Sequence, residues 1–149
     1  MSETSKPLKL IALDANDLEV ISAHCQDAVF RLDDIGYVKK NRRFAIILNR
    51  FDWETALKTG RDHQLRRRRT ALRFECVDQA EHINLKSKQK DHALKLLAIN
   101  FEEKDAPSGV LSLIFSGDCE IKLTVECIEI ELNDLGAMWE TKNLPDHKL

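Results

Sequence analysis

The sequence predicts an α+β protein: a mostly antiparallel, strongly bent sheet, closed into a barrel or sandwich, with one N-terminal helix and one C-terminal helix. Three observations carry this. Arg43–Phe51 is apolar on both faces, with Phe44, Ile46 and Leu48 opposite Ala45 and Ile47, as in a strand covered on both sides. Val110–Phe115, the turn Ser116-Gly117-Asp118 and the cleanly alternating Glu120–Glu126 read as a hairpin. Apolar segments follow one another across short turns, which favours hairpin pairing over parallel crossovers.

The bounds agree. A chain of 149 residues is one domain, placed at 8–139, with 1–7 and 140–149 as flexible tails. That length can bury a full core without metals or disulfides. The charges nearly cancel, with 23 basic and 25 acidic residues, so any electrostatic role must come from local clustering. No apolar run is long enough to span a bilayer. MSETSKP lacks the apolar core of a signal peptide, and a cytoplasmic protein is expected. Cys25, Cys76, Cys119 and Cys127 form no C-x-x-C pair and read as reduced, packed thiols.

Leu8–Leu13 is apolar enough for a strand. Asn16 and Glu19 have capping-box spacing, and Leu18, Ile21, Cys25 and Ala28 share a helical stripe, so Asp17–Asp27 is expected to be a helix. Val29–Leu32 and Ile35–Lys39 are two strand pieces broken at Asp33-Asp34, and Lys40-Asn41-Arg42 is a turn before Arg43–Phe51. Glu54–Gln64 has no apolar period and reads as a loop. Arg69–Val77 returns to strand, continued past a bend by Ala80–Leu85. Lys86–Asp91 is a polar connection, and His92–Phe101 is a second strand apolar on both faces. Lys104–Gly109 is a turn punctuated by Pro107 and Gly109. The reading of Cys127–Leu135 is divided. Val125, Ile128, Leu132 and Leu135 share a helical stripe that ends at Gly136, while Ile128, Ile130 and Leu132 also fit a strand. The helix is preferred. Ala137–Leu149 is a tail from which Met138 and Trp139 can dock on the core.

The segments RRFAIILNRFDWE, LLAINFE and VECIEIELNDLGAMW resemble those of a family of short bacterial proteins classed as a domain of unknown function. The resemblance runs from Leu8 to Trp139. It implies a bacterial, cytoplasmic, single-domain protein and brings no catalytic residue or cofactor. A bent antiparallel sheet ending in a helix is also similar, as a fold alone, to pleckstrin-homology-like domains.

The densest charge is the run Arg66-Arg67-Arg68-Arg69, expected on a connection beside the central strand, with Lys58, Arg61, His63 and Arg73 nearby. With Arg50 and the aromatic Trp53, these arginines make a candidate site for a nucleic acid, a phosphate ligand or an acidic partner, because guanidinium forks bind phosphate in pairs and rings stack on bases. The competing reading is a solvated strand entry whose arginines pair with carboxylates. Asp52 and Glu54 share one face of an extended strand and are the best place for acid–base work, unless they pair with those same arginines. His24-Cys25 lacks the geometry of a nucleophilic pair, because adjacent helical residues diverge. His24, His63, His82, His92 and His147 lack zinc-motif spacing, although His82 and His92 can meet across a hairpin. No metal, cofactor or catalytic residue is expected. The function this suggests is a non-enzymatic binding or scaffold domain for a protein partner or a second copy of itself. The alternatives are nucleic-acid or phosphate binding through Arg66–Arg69 and an enzyme built near Asp52 and Glu54.

Overall fold

Side chains alternate across a strand, so burial parity shows which face each strand turns inward. The computed structural model describes residues 6–53, 66–85 and 92–140, the last four as backbone alone. The elements run β1 (Lys9–Ala12), α1 (Ala15–His24), β2 (Ala28–Arg31), β3 (Ile35–Val38), β4 (Arg43–Phe51), β5 (Arg66–Phe74), β6 (Val77–Ile83), β7 (Ala93–Asp105), β8 (Ser108–Phe115), β9 (Cys119–Val125) and β10 (Ile130–Glu140). Short 3-10 turns at Leu32–Asp34 and Lys39–Asn41 flank β3.

All the pairings are antiparallel, in the order β1-β10-β5-β4-β2-β7-β8-β9-β6, with β3 also on β4. The order ends at β1 and β6, so the sheet is open and the expected barrel is not formed. Helix α1 packs on β1 and β7 and sends Leu18 and Ile21 into the core, with its C-cap Cys25 buried beside them.

The expected C-terminal helix is also overturned, because residues 130–140 form strand β10. Ile130, Leu132 and Asp134 turn inward opposite Phe74, Leu72 and Thr70, so period two wins over the helical stripe. Gly136, at φ 92°, lies in the register shift between Asp134 and Met138 rather than at a helix end. Without that helix, the pleckstrin-homology-like comparison loses the feature it rested on. The side chains of Met138 and Trp139, expected to dock on the core, lie outside the described residues.

Several smaller boundaries move. Helix α1 is capped by Asp14, which accepts the Asp17 N–H at 2.8 Å, two residues before the expected Asn16. Strand β5 begins at Arg66 and so absorbs the whole basic run that was expected on a connection. The β8–β9 hairpin stands, with Leu113 opposite Ile121 and Phe115 opposite Cys119.

The buried residues form one core cluster spanning both ends of the sheet. Phe30 and Phe115 meet edge to face at 4.8 Å between centroids, and Phe44 and Phe74 at 5.9 Å. Gly109 lets β7 and β8 approach closely. A Cβ there would lie 2.4 Å from the Glu102 carbonyl oxygen and 2.6 Å from the Phe101 ring. Gly109→Ala is therefore expected to destabilise by about 1–3 kcal/mol and to lower Tm by roughly 3–10 °C in a thermal melt. An unchanged Tm would show that β8 can move away at no cost.

Candidate functional site

The alternation that buries Phe44, Ile46 and Leu48 on β4 also carries Arg50 inside. On β5 the inward set is Arg68, Thr70, Leu72 and Phe74, and Arg50 lies directly opposite Arg68. Two buried guanidinium groups side by side would repel strongly. Asp134 on β10 and Asp52 beyond β4 offset them, so the four side chains carry no net charge.

Asp134 is the hub. Arg50 Nε donates to its Oδ1 at 2.9 Å and Arg50 Nη2 to its Oδ2 at 2.8 Å, a two-pronged pair. Thr70 Oγ1 donates to Oδ1 at 2.8 Å, and the Leu8 N–H donates to Oδ2 at 2.8 Å. Arg68 Nε lies 3.6 Å from Asp52 Oδ2 and 3.8 Å from Asp134 Oδ2. The side chains of Arg50, Asp52 and Asp134 are fully buried. Burial raises the Asp134 pKa, but the bonds from Arg50, Leu8 and Thr70 outweigh it and hold the carboxyl below its ordinary range.

The other candidate residues are scattered around this cluster. Arg67 turns to the opposite face, is 7% exposed and donates to the Asn49 carbonyl at 3.0 Å. Burial lowers its pKa, against the pull of Asp27. Arg66 is half-buried and Arg69 is exposed. Arg73 is exposed but ion-paired with Glu75 and Glu131, and Arg43 shares Glu75. Trp53 is half-buried, with its ring edge-on to Phe51 at 4.4 Å. The structure therefore brings Arg50 and Arg68 together, without making a shared surface of Arg50, Trp53, Arg66, Arg67, Arg68, Arg69 and Arg73.

Asp52 faces Arg68, and its expected companion Glu54 lies outside the described residues, as do Lys58, Arg61 and His63. Burial pushes the thiol of Cys25 up to about 12, with Arg50 lowering it and Asp134 raising it, and the side chain is packed in the core cluster. His82 lies on β6, and His92 immediately precedes β7; two strands separate β6 from β7 in the sheet. They do not face each other across a hairpin.

Sequence reasoning missed a second feature. Strands β3 and β6 are bridged at one end, where Tyr37 Oη donates to the Val77 carbonyl at 3.0 Å, and an apolar groove opens between them. Leu32, Ile35, Tyr37, Phe44, Leu85 and Ile121 are among its lining residues, Ala80 and His82 lie on its β6 side, and its volume is about 400 Å³. Among the described residues, β3 pairs only with β4 and β6 only with β9, so each has one strand edge unpaired. Nothing in the local pattern marks this groove, because its walls come from segments far apart in the chain.

The fold and these two sites define a protein built on one open antiparallel sheet, with a neutral arginine–aspartate cluster in its interior and an apolar cleft between strand edges. The chain matches, over residues 8–147, the family described as a protein of unknown function (DUF2948), and it belongs to that family. Neither the curated proteins nor the solved structures include a match, so the pleckstrin-homology-like likeness gains no support from known structures.

Proposed function

We propose that this protein is a non-enzymatic binding domain that takes an extended, apolar segment of a protein partner into the groove between β3 and β6. The observation that carries the reading is the pairing of an apolar floor with two strand edges. Strand edges offer main-chain donors and acceptors to an extended segment, and alternate side chains of that segment fill the pocket below. A volume of about 400 Å³ also suits a small ligand. The flanking edges favour a peptide over a compact molecule. The four free thiols support a reducing, cytoplasmic setting.

The phosphate or nucleic-acid reading draws on Arg66–Arg69 and has less support, because Arg67 and Arg68 are buried. The enzymatic reading draws on Asp52, which is buried against a guanidinium. Selection from a displayed library of short peptides tests the groove. Apolar, extended sequences are expected to be enriched, and Ile35→Lys or Ala80→Lys is expected to weaken their binding at least tenfold, about 1.4 kcal/mol. Enriched peptides that bind both variants as well as the parent, with melts confirming that the variants are folded, would overturn the assignment. Selection of a segment of this chain itself would redirect it to self-association.

A further inference from the structure

The short connections between β5 and β6 and between β9 and β10 meet at one corner. Val77 pairs with Val125, and Phe74 pairs with Ile130. Between them the Glu126 N–H donates to the Cys76 carbonyl at 3.0 Å and the Glu75 N–H to the Glu129 carbonyl at 2.9 Å. One residue step in the first connection thus faces three in the second, and Cys127 lies in the longer of the two. Cys76 turns the corner at φ 60°, a conformation few side chains adopt. The result places the Sγ atoms of Cys76 and Cys127 and a carboxylate oxygen of Glu129 within 4.8 Å of one another.

We propose that this corner binds a thiophilic divalent cation of the zinc class through Cys76, Cys127 and Glu129. Tetrahedral zinc, with bonds of about 2.3 Å to sulfur and about 2.1 Å to oxygen, sets neighbouring ligand atoms roughly 3.5–3.8 Å apart. Cys76 Sγ already lies 3.7 Å from Glu129 Oε1. Two thiolates with a carboxylate suit zinc better than magnesium or calcium, which prefer all-oxygen shells. Three protein ligands leave a fourth position for water, as in sites that exchange ligands rather than closed structural ones. Binding displaces one proton from each thiol to solvent, and the carboxylate binds ionised. Two thiolates and a carboxylate exceed the cation's charge by one; Arg42, Arg43 and Arg73 lie around this corner, already paired with Asp78 and Glu126, with Glu75, and with Glu75 and Glu131. The ligands come from two connections far apart in the chain, so ligand spacing along the sequence gives no sign of them.

The test uses the reduced full-length chain, stripped with a chelator and titrated with zinc against a chromogenic competitor. One equivalent is expected to bind. Cys76→Ser and Cys127→Ser are each expected to weaken binding at least tenfold, and Glu129→Gln severalfold. Cobalt in place of zinc is expected to give thiolate-to-metal charge-transfer absorption, lost in the Cys76→Ser/Cys127→Ser double variant. Zinc is also expected to protect Cys76 and Cys127 from alkylation in the unaltered protein, a readout that needs no variant to fold. Zinc retained equally by the double variant, no protection from alkylation, or a Cys76–Cys127 disulfide formed by oxidised glutathione despite saturating zinc would each overturn the proposal.

Discussion

Asp134→Asn is expected to lower stability at neutral pH by about 3–5 kcal/mol, because removing one partner leaves buried guanidinium charge uncompensated. The parent interior holds Arg50 and Arg68 against Asp52 and Asp134; the variant holds two cations against one anion. Urea denaturation at pH 7 measures the loss. Arg50→Met combined with Asp134→Leu should recover part of it, since the remaining pair, Arg68 and Asp52, is neutral and the new side chains are apolar, while the Thr70 hydroxyl and the Leu8 N–H lose their acceptor. A double variant as unstable as the sum of its single variants would show that the two residues act independently. The pH dependence has a definite sign. The folded Asp134 carboxyl titrates below its ordinary 3.8, so its contribution is complete above that value and is lost as pH falls through the folded pKa. The gap between parent and Asp134→Asn should therefore hold from neutrality down to about 3.8 and close below it. A gap that closed between pH 7 and 5 would assign the stability to another group.

Phe74→Ala is expected to cost about 3–5 kcal/mol, in the range for emptying a large aromatic site in a packed core. Phe74 is fully buried and meets Phe44 edge to face, and Phe44 lines the groove between β3 and β6. Two effects follow together. The midpoint of chemical denaturation falls, and peptide binding weakens because the ring supporting the groove floor has gone. Phe74→Leu refills much of the volume and should restore most of both. Binding that survives Phe74→Ala at a temperature where the variant is folded would place the partner elsewhere.

Strand periodicity made much of this fold legible. Arg43–Phe51, the β8–β9 hairpin and the early helix follow from patterns within a few residues, because each depends on which side chains share a face. The same rule held the clue to the interior cluster. Once Ile130 and Leu132 are placed on one face of a strand, Asp134 shares that face, and once Phe44, Ile46 and Leu48 turn inward, so does Arg50. Cys127–Leu135 fitted both periods, and the helical stripe ending at Gly136 concealed the strand. The decision lay outside the segment: β5 offers β10 a ladder on both sides of the register shift at Gly136, and a helix would leave that edge unpaired and the Arg50–Asp134 pair unmade.

By itself the sequence determined an antiparallel, sheet-rich body, the central strand, the early helix and the best hairpin, since these rest on local alternation. Only the tertiary structure decided that the sheet stays open, that the basic run enters a strand, and that Arg67 and Arg68 are buried rather than displayed. It alone assembled the groove and the cysteine corner, whose members are brought together by pairings between distant segments. Local pattern records which way a side chain points; what it meets there depends on which distant strand arrives opposite.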